Sequence, residues 1–291
     1  MNTILKSSFA TVEIQSIGAE LISFKKLEDG VEYIWNGDAQ YWTGHSPVLF
    51  PIVCAVNNGE IKVDGKSYPL KNHGFVRHKE FEQVEVSESR AVYRHTYDEN
   101  TLTMYPFKFD LFITYTLKDN TLEISYSVHN VDDREMFFQL GTHPAFNCPL
   151  DEGGHIQDYY LEFEQKETLE RLFMNKSNLL ISGQSEVILK DEKVLPLSHE
   201  MFEEGALVFR NINSQQVALK SKQSDKSVLL SYENFPYMGI WQPKNAPFVC
   251  IEPWHGIADA DNFTGELKDK EMIISLNPGK SFQSSLTIEI N

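Results

Sequence analysis

Three short clusters of reactive side chains stand far apart along this chain: His73-Gly74-Phe75-Val76-Arg77, Gly141-Thr142-His143-Pro144-Ala145-Phe146-Asn147 and Ile251-Glu252-Pro253-Trp254. Together they offer two imidazoles and one carboxylate. Groups with ordinary pKa values of about 6.5 and about 4.3 can hold opposite protonation states at once, so one donates a proton while the other accepts one. The chemistry to expect is a general acid facing a general base. The competing reading of each imidazole is structural, a loop histidine satisfied by backbone carbonyls. Glu252 resists that reading, because a carboxylate among Val249, Ile251 and Trp254 needs a partner or stays neutral.

In an extended backbone alternate residues share a face, so His73, Phe75 and Arg77 are expected on one side of their segment, and Glu252 and Trp254 side by side on theirs. An indole next to a carboxylate is suited to stacking on a sugar ring, and Trp35, Trp42 and Trp241 are the other tryptophans available for such a platform. There is no HExxH, no H-x-H pair, no aspartate-rich calcium loop, no GxGxxG and no Walker A sequence, so neither a metal nor a nucleotide cofactor is expected. Cys54, Cys148 and Cys250 are an odd count without a CxxC pair and are expected as small buried hydrophobes.

The elements that must carry these groups are strands. Leu122, Ile124, Tyr126 and Val128 alternate with polar residues, as do Leu286, Ile288 and Ile290, the pattern of half-buried strands. Phe107 to Leu117 repeats at period two and turns at Lys118-Asp119-Asn120 directly into the Leu122 strand, a hairpin. Glu28-Asp29-Gly30, Val63-Asp64-Gly65-Lys66 and Asn277-Pro278-Gly279-Lys280 mark further turns. The one helix signal is Ser198 to Glu204, with Ser198 as N-cap and Gly205 just past the end. No βαβ rhythm and no internal repeat is present, so the expected fold is all-β: a large antiparallel β-sandwich with few short helices, residues 1–291 forming a single domain. A concave sheet face would let the distant clusters meet.

Composition bounds the partners. The 291 residues are 41% hydrophobic, enough to bury roughly three quarters of the open chain's surface. A net charge of -16 argues against a nucleic acid, which needs clustered Lys and Arg. The chain starts with no basic stretch followed by an apolar one and holds no run near the ~18 apolar residues of a membrane span, so a cytoplasmic protein with no membrane partner is expected. The expected partner is a small-molecule sugar, and the protein a monomer or homodimer.

Taken together and in this order, the Asn72-to-Arg77, Gly141-to-Asn147 and Ile251-to-Trp254 clusters resemble the site motifs of the aldose 1-epimerase (mutarotase) family, most closely its LacX-like bacterial branch, over the whole chain. That resemblance implies a large antiparallel sandwich with its site on a concave face. It implies an isomerase that interconverts α and β anomers of a hexose without a cofactor. His143 would be the acid at the ring oxygen, Glu252 the base at the anomeric hydroxyl, and His73 a hydrogen-bonding helper; Arg77, Phe75, Asn147, Trp254, Trp241 and Glu204 would contact substrate. Two departures bear on the sugar. Cys54-Ala55-Val56-Asn57-Asn58-Gly59 lacks the arginine that galactose mutarotases carry before their histidine-glycine motif, and the resemblance offers Arg77 as a substitute, as in relatives that accept hexose 6-phosphates. Gly205 stands where the family places a sugar-binding aspartate, with Glu203 and Glu204 just before it. Lys71, Arg77, His78 and Lys79 form a basic patch able to attract a phosphate, although a neutral hexose is the first expectation. A non-catalytic carbohydrate-binding protein is the alternative; a glycoside hydrolase would need a carboxylate pair where the motifs hold one.

Overall fold

In the computed structural model, which describes residues 2–291, 52% of the chain is strand and 7% is helical. A continuous antiparallel sheet of 15 strands dominates, with one three-stranded and two two-stranded sheets beside it. The expected hairpin forms: Phe109–Lys118 pairs with Thr121–Asn130, matching Leu122 to Leu117 and Ile124 to Tyr115. On its other edge Thr121–Asn130 pairs with Ser281–Ile290, setting Leu122 against Ile288. Because cross-strand partners share a face, the buried alternate residues of these three strands, Leu111, Ile113, Leu122, Ile124, Leu286 and Ile288 among them, drive into one core with Phe24, Phe50, Phe107 and Phe138. Each fully buried side chain of this kind contributes about 1.5–3 kcal/mol of transfer free energy.

The predicted turns close as read. Asp64 and Gly65 both have positive φ between the paired strands Glu60–Val63 and Lys66–Pro69, the conformation a two-residue hairpin turn requires. The expected helix at 198–204 is shorter than its signal. Only a 3₁₀ turn, Glu200–Phe202, forms there, with His199 rather than Ser198 at its N-terminus and Phe202 buried. Among the described residues no helix is long and apolar enough to cross a membrane.

One part of the large sheet positions the reactive residues. Strand Phe248–His255 pairs with Tyr237–Trp241 on one edge, and with both Leu140–Thr142 and Ala145–Asn147 on the other. The second and third sequence clusters are therefore neighbours by backbone pairing. The first joins them through Gly74, which bridges to Phe50.

Candidate active site

Within strand Phe248–His255 the two-residue period holds. Cys250, Glu252 and Trp254 share a face, and across the ladder Trp241 lies opposite Cys250 and Gly239 opposite Glu252. The Trp254 indole lies flat across two glycines: a Cβ on Gly239 would sit 2.5 Å from its ring and one on Gly141 2.8 Å. That close approach is why the second cluster opens with glycine. His143 follows Thr142 at the end of its short strand, and the Pro144 carbonyl accepts the Ile251 N–H at 3.2 Å, which holds the His143 segment against the Glu252 strand.

The result is a cavity of about 290 Å³ whose lining includes His73, Arg77, His143, Glu252, Trp254, Trp241, Trp42, Cys54 and Glu204. At its floor His143 Nε2 lies 3.2 Å from Glu252 Oε2, and both side chains are buried. Burial pushes the imidazole's pKa well below its ordinary value, and the nearby His73 and Arg77 push the same way. Burial likewise raises the Glu252 carboxyl well above the carboxylate range, with Arg77 opposing. Charge is thus disfavoured on both partners, so burial favours the uncharged pair, with the proton of the contact on the carboxyl, over the ion pair. Moving that proton across the 3.2 Å contact gives the imidazolium–carboxylate form. His143 Nδ1 is buried with no hydrogen-bond partner among the described residues.

Aromatic rings fix the imidazole in place. Trp42 stacks on His143 with centroids 4.9 Å apart and planes at 26°, and Trp241 meets it edge-on at 5.7 Å and 80°. The Arg77 guanidinium sits 6.0 Å from the Trp42 centroid, on the cavity wall. His73 is oriented by backbone. Its Nδ1 accepts the Cys54 N–H at 3.1 Å while its own N–H donates to the Cys54 carbonyl at 3.0 Å. With Nδ1 an acceptor, the neutral ring carries its proton on Nε2, and burial together with Arg77 lowers its pKa to about 3. His73 is therefore a neutral hydrogen-bond donor.

The first cluster is not an extended segment. His73 and Gly74 both have positive φ, and Val76–His78 is a 3₁₀ turn. Gly74 permits this turn: a Cβ there would lie 2.1 Å from the Phe50 carbonyl oxygen. The shared face predicted for His73, Phe75 and Arg77 is lost as a consequence. His73 and Arg77 reach the cavity, whereas Phe75 is buried in the main core against Phe109. Asn147 does not reach it either, because its amide donates to the carbonyls of Glu32 at 2.8 Å and Ile34 at 3.1 Å. Glu204 lies at the exposed rim, 3.7 Å from the Arg171 guanidinium.

Several lining residues escaped the sequence reading. Met174, Asn175 and Asn178 come from the tip that joins two long strands, Tyr159–Met174 and Leu180–Pro196, and carry no motif for this chemistry. Trp42 stood among the candidate tryptophans without an assigned place. Cys250, taken as a small hydrophobe, has its Sγ near the reactive pair: ligand atoms of His143, Cys250 and Glu252 all lie within 4.8 Å of one another. Its position two residues before Glu252 on a strand was the available signal.

This antiparallel sandwich, with two histidines and a glutamate gathered in one pocket, has the architecture of the galactose mutarotase-like proteins. Protein LacX of Lactococcus lactis subsp. lactis is 32% identical over 295 residues, spanning 98% of this chain and 98% of that protein. A galactose mutarotase related enzyme from Lactobacillus acidophilus superposes with a TM-score of 0.95 at 33% identity, over 100% of this chain and 97% of that one. A galactose mutarotase-like protein from Lactobacillus casei ATCC 334 gives 0.94 at 32% identity, covering 100% of both. The sequence profile described as Aldose 1-epimerase matches residues 2–289, and the chain belongs to that family.

Proposed function

We propose that this protein is a cofactor-independent mutarotase for a neutral aldohexose, with residues 1–291 acting as one cytoplasmic domain. The observation that carries this reading is the 3.2 Å contact between His143 Nε2 and Glu252 Oε2 on the lining of one cavity. At about 290 Å³ the cavity lies at the low end of the ~300–1,000 Å³ typical of small-molecule sites.

The two oxygens that must exchange protons, the anomeric hydroxyl and the ring oxygen, are bonded to the same carbon. Acid and base must then stand close together, as this pair does. In the imidazolium–carboxylate form Glu252 takes the hydroxyl proton while His143 protonates the ring oxygen. The C1–O5 bond breaks, a C1 carbonyl forms, and the pair is left neutral, the state that its burial favours. Rotation about C1–C2 and reclosure return both protons. Each transfer contributes about 10²–10⁴-fold. His73 Nε2–H and Arg77 donate to sugar oxygens, Trp42 and Trp241 wall the ring, and Glu204 accepts from hydroxyls at the rim.

A neutral substrate is favoured by the rim. Of the basic residues Lys71, Arg77, His78 and Lys79, Arg77 alone is among those lining the cavity, and Glu204 brings a negative charge to its mouth. Polarimetry of freshly dissolved α-anomers tests the reading across galactose, glucose and glucose 6-phosphate. Equilibration faster than buffer with a neutral hexose, and slower with the phosphate, is expected. Background rates with every sugar, from protein shown to be folded, would contradict it.

A further inference from the structure

We propose that His143, Cys250 and Glu252 form a binding site for a thiophilic divalent cation, with zinc the best match, and that the bound ion competes with sugar for the pocket. The competition half rests on the mutarotase reading; the binding half does not.

An imidazole nitrogen, a thiol sulfur and a carboxylate oxygen, all buried, lie within 4.8 Å of one another. These are the donor types zinc takes, whereas magnesium and calcium prefer all-oxygen sets. The 3.2 Å between His143 Nε2 and Glu252 Oε2 is near the edge, about 3.3 Å, of a tetrahedron around an ion bonded at ~2.0–2.1 Å. Backbone pairing pins the set. Cys250 and Glu252 are alternate residues of one strand, Ala145 pairs with Cys250, and the Ile251 N–H donates to the Pro144 carbonyl. The cavity supplies the fourth position, open to water or a sugar hydroxyl.

The charge balance also fits. A zinc ion exchanged for the Cys250 thiol proton and the Glu252 carboxyl proton, both released to solvent, leaves thiolate, carboxylate, neutral imidazole and a dication. The buried charge is zero before and after, so no uncompensated charge is added to the site. The Arg77 guanidinium on the same pocket makes this neutrality important, because a cationic complex would face repulsion.

Cobalt(II) chloride titrated into the reduced full chain tests the site without reference to activity. Expected are one bound equivalent with a thiolate-to-cobalt charge-transfer band in the near ultraviolet, its loss on adding zinc, and its loss in Cys250→Ser. Cys54→Ser and Cys148→Ser should keep the band. Zinc should inhibit anomer exchange in competition with sugar, with half-inhibition moved at least tenfold upward in Cys250→Ser. Cys250→Ala substitutes if the serine variant fails to fold by circular dichroism, and the wild-type band needs no variant. No band in folded wild type, or a band that survives loss of Cys250 or depends on Cys54, overturns the proposal. A chain that binds cobalt through Cys250 yet leaves anomers at the buffer rate upholds the site and defeats the mutarotase reading; rapid exchange with no band does the reverse.

Discussion

Two buried contacts between an acidic and a basic side chain, Asp259–Lys270 and Glu252–His143, are built to opposite ends. Asp259 and Lys270 meet at 2.6 Å with side chains 4% and 1% exposed, and the second Asp259 oxygen accepts the Asn57 N–H at 2.9 Å. The Asp259 backbone is also tied, its N–H to Ala55 and its carbonyl to Leu180. They line a void of only about 40 Å³. Glu252 and His143 meet at 3.2 Å, leave His143 Nδ1 unpartnered among the described residues, and face a cavity of about 290 Å³. A saturated buried pair pins the fold; an unsaturated one beside open space is available to a ligand.

Breaking each pair separates these roles. Glu252→Gln should lower kcat by at least ~10²–10⁴ while the melting temperature holds or rises, because a buried carboxyl is replaced by a neutral isostere. Lys270→Met should do the reverse. It strands Asp259 at a cost of about 3–5 kcal/mol, visible in urea unfolding, while the folded fraction keeps its turnover.

Trp42→Ala probes the next level, the ring that holds His143. Losing a stacked aromatic partner worth about 0.5–1.5 kcal/mol should reduce kcat up to about tenfold with a smaller change in KM. Its pH profile should also change, since an imidazole opened to water regains proton affinity. A profile identical to wild type would reduce Trp42 to a structural role.

The pH dependence of the wild type sharpens the comparison further. Protonating the neutral His143 is opposed by burial, which moves the acid limb below the ordinary histidine value. Deprotonating the Glu252 carboxyl is opposed as well, which moves the alkaline limb above the ordinary carboxylate value. The limits belong to the pair rather than to either residue. Background-corrected kcat/KM should therefore show its acid limb below pH ~6.5, and an acid limb centred there would contradict the burial argument.

A further effect concerns His73. In the unfolded chain it takes a proton below about pH 6.5, whereas in the folded protein its pKa is about 3. Between those values the unfolded state binds more protons, so stability declines as pH falls through that window. His73→Asn should flatten this part of the stability curve.

Much of this arrangement can be read from the sequence alone. Alternation revealed the strands because they are half-buried, and it placed Glu252 beside Trp254 because that segment pairs on both edges. The same rule failed for Phe75, where His73 and Gly74 at positive φ break the period and turn the ring into the core. Asn147 lies in a recognisable motif, yet its amide is consumed by carbonyls more than a hundred residues away, a contact no local pattern encodes. Trp42 reaches His143 through the same kind of long-range closure. Cys250 was within reach of the alternation rule, and its chemistry was hidden by reading it as a hydrophobe.

Under the proposed mechanism Glu252 and His143 pass protons to and from one sugar. Two-site exchange spectroscopy by NMR, on α and β galactose and glucose at equilibrium with catalytic amounts of protein, measures this directly. Anomer exchange well above the buffer rate is expected with wild type, with a return to the buffer rate in folded Glu252→Gln. Saturable sugar binding with exchange no faster than buffer in the wild type would contradict it and leave a carbohydrate-binding protein instead.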